Sequence, residues 1–148
     1  MRYFESFSVG DTWRLGSWAV DEKEAIDFAL EYDPQPIHTD AAMAVNTHFG
    51  GIIVSGWQTT LKCIRRFVDG VMRDTAGLAS PGVDGIRWLQ PVKVGQMLTA
   101  FAKVTDMQDS ASKPDRGKIW FEIYAVNNAG ENVMTTGGMF FIAKNHDV

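Results

Sequence analysis

An α+β fold, with a curved antiparallel sheet wrapped around one long central helix, is predicted by three features of this sequence. From Gly56 the apolar residues Trp57, Leu61, Ile64, Val68 and Val71 recur at alternating steps of four and three, with Phe67 widening the stripe. Four strand-like segments then follow, at 83–92, 96–105, 118–127 and 132–143, and their order predicts an antiparallel meander. The last of them contains Gly137-Gly138, which would weaken a flat strand and so predicts a bend or bulge where the sheet curls around the helix.

Each element has its own local reason. Residues 2–20 carry Tyr3, Phe4, Phe7, Trp13 and Trp18 around Gly10-Asp11 and Gly16, which predicts two short extended pieces joined by a turn. Asp21-Glu22-Lys23-Glu24 has the form of a capped helix start, and Ala25, Ile26, Ala29 and Leu30 continue at helical spacing until Asp33-Pro34 stops the helix. Thr39 or Asp40 then caps a short helix through 41–45, which 46–51 ends. Lys62, Arg65, Arg66 and Asp69 occupy the other faces of the long helix, and 73–82, with Gly77, Ser80, Pro81 and Gly82, reads as a loop. In the third strand Ile119, Phe121, Ile123 and Ala125 alternate with Trp120, Glu122, Tyr124 and Val126, and the first set is predicted to face the core.

The 148 residues fit one domain spanning 1–148, large enough to bury roughly 70% of the surface its unfolded chain would expose. A 45% hydrophobic, 22% charged composition without low-complexity tracts is that of an ordinary globular chain, so disorder is expected only at the termini. The net charge of −4 lacks the basic excess of a nucleic-acid binder. Cys63 is the single cysteine, which excludes an intrachain disulfide; within a helix it reads as a small buried hydrophobe rather than a nucleophile. An early acidic residue, Glu5, and the absence of any apolar run near ~20 residues argue against a secretory signal or membrane span, and a cytoplasmic protein is expected.

Chemistry concentrates in Tyr32-Asp33-Pro34-Gln35-Pro36-Ile37-His38-Thr39-Asp40 and Gly50-Gly51-Ile52-Ile53-Val54-Ser55-Gly56-Trp57. Pro34 and Pro36 fix φ and push Asp33 and Gln35 out of the α region, so a rigid extended loop carries a carboxylate and an imidazole that can meet at one water. The ordinary alternatives are an Asx turn at Asp33 and a histidine satisfied by backbone at His38. His48 and His146 read as surface residues. A metal site from His38, Asp33 and Asp40 matches no strong ligand spacing. Ser55 lacks the G-x-S-x-G context of a nucleophile, and no G-K-[ST] follows the glycines to make a phosphate loop.

Asp33-Pro34-Gln35-Pro36-Ile37-His38 is similar to the G-D-x-N-P-[LIV]-H signature of the MaoC-like dehydratases, which include the R-specific enoyl-CoA hydratases and have the hotdog fold. Ile53-Val54-Ser55-Gly56 resembles the family's short apolar run ending in glycine, and Gly85-Ile86-Arg87-Trp88-Leu89-Gln90-Pro91-Val92 with Gly95 resembles its next strand and turn. Tyr32 and Gln35 depart from it, standing where the signature has glycine and asparagine. The resemblance implies that Asp33 and His38 hold the water added across a 2-enoyl thioester, and that Gly56 offers its N–H to the thioester oxygen. Ser55, Gln35 and Trp57 are the further candidates for contacting that substrate. It also implies a coenzyme A or acyl-carrier thioester as substrate, no metal or redox cofactor, and a homodimer whose pocket borrows residues from the partner. Arg65, Arg66, Arg87, Lys93 and Lys118 are candidates to meet coenzyme A phosphates. The rivals are a hotdog thioesterase and a non-catalytic acyl-thioester-binding protein.

Overall fold

The computed structural model describes residues 1–146. A strand β1 (Thr12–Ala19) leads into helix α1 (Glu22–Tyr32), two one-turn helices α2 (Pro36–Thr39) and α3 (Ala41–Ala44), and the central helix α4 (Gly56–Gly70). Five strands follow: β2 (Gly77–Ala79), β3 (Gly85–Trp88), β4 (Met97–Asp109), β5 (Arg116–Val126) and β6 (Asn132–Ala143). They form one antiparallel sheet in the order β1-β4-β5-β6-β2, with β3 also on β6. The expected fold class is what the chain adopts: α4 packs on one face of a six-stranded antiparallel sheet. Among the described residues no helix is long and apolar enough to cross a membrane.

Local signals placed the early helices. The side chain of Asp21 accepts from Glu24 N–H at 2.9 Å and caps α1, and Asp40 accepts from Met43 N–H at 3.0 Å and caps α3. Alternation placed β5, whose Ile119, Phe121, Ile123 and Ala125 are all buried against α4.

Four expectations are corrected. The first extended piece is instead a 3₁₀ turn, Phe4–Ser6, because Ser6 Oγ accepts from Tyr3 N–H at 3.0 Å and the Phe4 ring docks where Gly117 has no side chain. The segment 83–92 is not a member of a four-strand meander. Its strand portion, β3, crosses to the far side of β6, with Trp88 opposite Met134, while Val92 leaves the sheet and accepts from Val54 N–H at 2.8 Å. Residues 77–79, expected in a loop, form the short strand β2. Gly137-Gly138 interrupts nothing: β6 runs through it in register, and the two glycines instead leave room for the backbone of Phe121 and Gly82. The ladder irregularities fall at Arg14/Gly16, Gly77/Ala79, Val104/Asp106 and Ala125/Val126.

Only part of the stripe expected on α4 faces the core: Phe67 and Val71 are buried and Ile64 packs against them, but the rest turns outward. Trp57, Leu61 and Val68 are 48%, 53% and 41% exposed, while Thr59, Thr60, Cys63 and Phe67 are buried. Phe67 decides the rotation. Its ring meets Phe121 at 5.0 Å and Phe140 at 5.5 Å in a cluster that also holds Phe7 and Trp13. Large rings in edge contact contribute beyond their burial, which outweighs the aliphatic stripe. Cys63 lies beneath the helix as expected, and burial pushes its thiol up to about 12, leaving it un-ionised at neutral pH.

Candidate active site

The end of α1, α2 and the strap 52–55 converge at the start of α4. Asp33 closes α1 by donating its N–H to Ala29 O at 2.8 Å, and its own φ and ψ of −154° and 66° turn the chain away from the helix. The extended conformation expected through both prolines stops at Gln35, because Pro36 is preset for the first position of a helix and opens α2. That single turn brings His38 inward. The strap is held from two sides, by Ile53 N–H on Ile37 O at 3.3 Å and Val54 N–H on Val92 O at 2.8 Å.

His38 is buried, and its two nitrogens have different surroundings. Nδ1 lies 2.7 Å from Ile53 O, an oxygen that only accepts, so the proton of a neutral ring sits on Nδ1. Nε2 then turns a lone pair toward Asp33 Oδ2, 3.3 Å away. Two acceptors facing each other require a hydrogen between them, supplied by an imidazolium or by a water that donates to both.

Asp33 is held on both oxygens. Gln35 Nε2 donates to Oδ1 at 2.7 Å and Ser55 Oγ donates to Oδ2 at 2.8 Å. The Gln35 hydrogen bond, helped by Ser55 and His38 and opposed by partial burial, holds the carboxyl below the ordinary carboxylate range. It is therefore ionised at neutral pH.

Asp33, Gln35, His38 and Gly56 line one cleft of about 330 Å³, together with Thr59 and the apolar groups of Val54, Trp88, Leu89, Val92, Val133 and Met134. The first turn of α4 leaves donors free there. Gln58 and Thr59 N–H both take Ser55 O, and among the described residues no acceptor meets Gly56 N–H. With the positive end of α4 behind it, that N–H suits a developing oxyanion.

Two expected site residues lie off the cleft. Ser55 has no exposed surface and acts on Asp33 from behind, because Val54 and Gly56 are the strap residues that reach the opening. Trp57 points outward on the exposed face of α4, its ring edge-on to Trp88 at 5.1 Å. Of the candidate phosphate ligands, Arg65 pairs with Asp69 and Arg66 lies over the Trp18 ring at 4.2 Å. No group of three His, Cys, Asp or Glu side chains among the described residues is placed to hold a metal ion.

Sequence reasoning missed Trp88, Thr59, Val133 and Met134 as cleft residues. For Trp88 only the fold supplies the link: a Cβ at residue 56 would overlap its indole, so the glycine that begins α4 is matched to a bulky neighbour. Val133 and Met134 reach the cleft only through the pairing of β3 with β6, which no short-range pattern encodes.

A family model described as MaoC like domain matches residues 7–119. The chain is similar to the crystal structure of a MaoC-like dehydratase from Rhodospirillum rubrum, with 28% identity, a TM-score of 0.89 and coverage of 98% of this chain and 99% of that one. It is similar to a structure named as a monoamine oxidase regulatory protein from Archaeoglobus fulgidus, with 30% identity, a TM-score of 0.86 and coverage of 97% and 95%. The unliganded R-hydratase PhaJ1 of Pseudomonas aeruginosa, at 21% identity, a TM-score of 0.76 and coverage of 97% and 86%, shares the fold.

Proposed function

The chain belongs to the MaoC-like domain family, and on that premise we propose that it is a hydro-lyase that reversibly adds water to a 2-enoyl thioester. The observation that carries this reading is the pair of acceptors, His38 Nε2 and Asp33 Oδ2, 3.3 Å apart on the wall of a cleft that Gly56 also lines. One water donates a hydrogen to each and turns its oxygen toward C3 of the substrate.

As the new C3–O bond forms, the C2=C3 π electrons move to C2–C1 and the thioester oxygen becomes an oxyanion. Gly56 N–H receives it. The water proton passes to His38 Nε2, since the hydrogen bonds from Gln35 and Ser55 make Asp33 a poor proton acceptor and a good partner for the resulting imidazolium. The same proton is then delivered to C2, which restores the thioester carbonyl and returns His38 to its starting form. A base, an oriented carboxylate and an oxyanion donor suffice for this sequence, with no metal or redox cofactor.

The substrate carrier is coenzyme A or an acyl-carrier protein. The active form is a homodimer: β2 and β3 have no strand on their outer edges among the described residues, and Val83, Trp88 and Leu89 are exposed alongside. Light scattering at micromolar concentration tests this, and a monomer would refute it.

Loss of the conjugated-thioester absorbance on adding purified protein to 2-enoyl-CoA tests the reaction. Asp33→Asn and His38→Ala are each expected to lower kcat/KM by about 10²–10⁴-fold. Wild-type rates in both would refute the assigned roles, and release of free thiol would identify a thioesterase instead.

A further inference from the structure

We propose that Thr59 is a second hydrogen-bond donor of the reaction, its hydroxyl completing with Gly56 N–H a two-donor site for the thioester oxygen. The inference rests on the hydratase reading and adds to it a residue that touches the substrate.

Thr59 is 4% exposed, and among the described residues its hydroxyl has no hydrogen-bond partner. Its neighbour is the contrast. A helical threonine ordinarily donates to a carbonyl three or four residues back. Thr60 does so, reaching Gly56 O at 2.9 Å while it accepts from Trp88 Nε1–H at 3.0 Å. For Thr59 the corresponding carbonyls are those of Ser55 and Gly56. Ser55 O already takes the N–H groups of Gln58 at 3.0 Å and of Thr59 itself at 3.4 Å, and Gly56 O takes the Thr60 hydroxyl. An unpaired hydroxyl in the interior is destabilising, so the partner of Thr59 comes from a cavity that the residue lines.

Thr59 lines the cleft that holds Asp33, His38 and Gly56. The other hollow it reaches, beside Trp18 and Gln58, measures about 10 Å³ and has space for one water at most. Helical geometry then selects the ligand atom. Side chains lean toward the helix N-terminus, so the side chain of residue i+3 lies over the turn begun by residue i. Thr59 stands in that relation to Gly56. The same three-residue step lets the longer side chain of a capping box reach back to a backbone N–H. Threonine is too short to close that bond itself, which leaves room for one acceptor atom between its hydroxyl and Gly56 N–H. The thioester oxygen is the acceptor that the proposed reaction brings there. A second donor strengthens as that oxygen gains charge, so its effect falls on kcat and little on KM.

The test compares the wild type, Thr59→Val and Thr59→Ser in three measurements. These are thermal melting, steady-state hydration of trans-2-butenoyl-CoA, and the ultraviolet band of bound 2,4-hexadienoyl-CoA, which moves to longer wavelength when the thioester oxygen is hydrogen-bonded. Thr59→Val is expected to lower kcat about 10²-fold, to leave KM within about threefold and to lose part of the red shift. It is expected to melt no lower than the wild type, because a hydroxyl that pairs only with a ligand does nothing for the free fold. Thr59→Ser restores the shift and brings kcat to within about tenfold of the wild type. A Thr59→Val enzyme with the wild-type kcat or the wild-type red shift overturns the inference and leaves the hydratase reading standing. So does one that melts well below the wild type or fails to fold, which would show a hydroxyl needed by the fold. Should the wild type turn over no 2-enoyl-CoA, the reading falls and this inference with it.

Discussion

Ser55, without any exposed surface, donates its hydroxyl to Asp33 Oδ2 at 2.8 Å from the residue that immediately precedes α4. The bond ties the carboxylate to the strap that also carries Gly56. The same oxygen faces His38 Nε2, so Ser55 fixes which lone pair of Asp33 remains for the imidazole and water. Ser55→Ala is expected to lower kcat for 2-enoyl-CoA hydration about tenfold with little change in KM, since the hydroxyl touches Asp33 and not the cleft. An unchanged kcat would show that the carboxylate is oriented without it.

Gln35 gives a pH signature. Its amide is the largest cause of the depressed Asp33 ionisation, and a bond to the charged form is lost when the amide is removed. In Gln35→Leu the folded-state value rises toward the ordinary one, so the acid range over which the carboxylate loses its charge moves to higher pH. Stability follows the same sign. A depressed carboxylate adds stability above its unfolded value, near about pH 4, and loses it as pH falls through the folded value. Wild type and Gln35→Leu are therefore expected to differ in Tm at neutral pH and to converge at strongly acidic pH. Superimposable curves of Tm against pH would show that Gln35 does not hold the Asp33 carboxyl down.

Gly56→Ala separates the needs of the oxyanion donor from those of packing. Alanine is the better helix former, so at an open helix start the change would be neutral or stabilising. Here the new methyl overlaps the Trp88 indole, and an overpacked contact of this kind costs about 1–3 kcal/mol, a loss of several degrees in Tm. In a Trp88→Ala background the same substitution is expected to cost almost nothing. A double-mutant cycle with coupling of at least about 1 kcal/mol checks the contact, and additive losses would contradict it.

What the sequence revealed was what lies close along the chain. Asp21 and Asp40 cap the helices that follow them within three residues, and Asp33 and His38, five residues apart on a proline-bounded bend, could be paired before any fold was known. The strand β3 was read correctly as extended but misplaced, because its partner β6 lies about fifty residues on and the link through Pro91–Gly95 resembles a hairpin turn. Gly137-Gly138 predicted a bend because glycine marks both bends and close approaches, and only the neighbouring backbone distinguishes the two. Trp88 entered the cleft through the same long-range pairing.

The central helix is the sharpest case, since 3.6-residue periodicity fits two of its faces. Trp57, Leu61, Ile64, Val68 and Val71 have the spacing of a core stripe, and Thr59 and Cys63 continue, one step around the helix, from the Phe67 that widens it. Hydrophobicity alone favours the first set, yet only Ile64 and Val71 of it reach the core, and the helix is turned so that Phe67, Cys63 and Thr59 are buried, because the Phe67 ring completes the aromatic cluster and the small Thr and Cys groups let the helix approach the strands. Phe67→Ala is accordingly expected to cost about 3–5 kcal/mol in denaturant unfolding, while Leu61→Ala, more than half exposed, stays within about 0.5 kcal/mol. The reverse order would mean that α4 turns its aliphatic stripe toward the sheet, and with that rotation Gly56 N–H would leave the cleft occupied by Asp33 and His38.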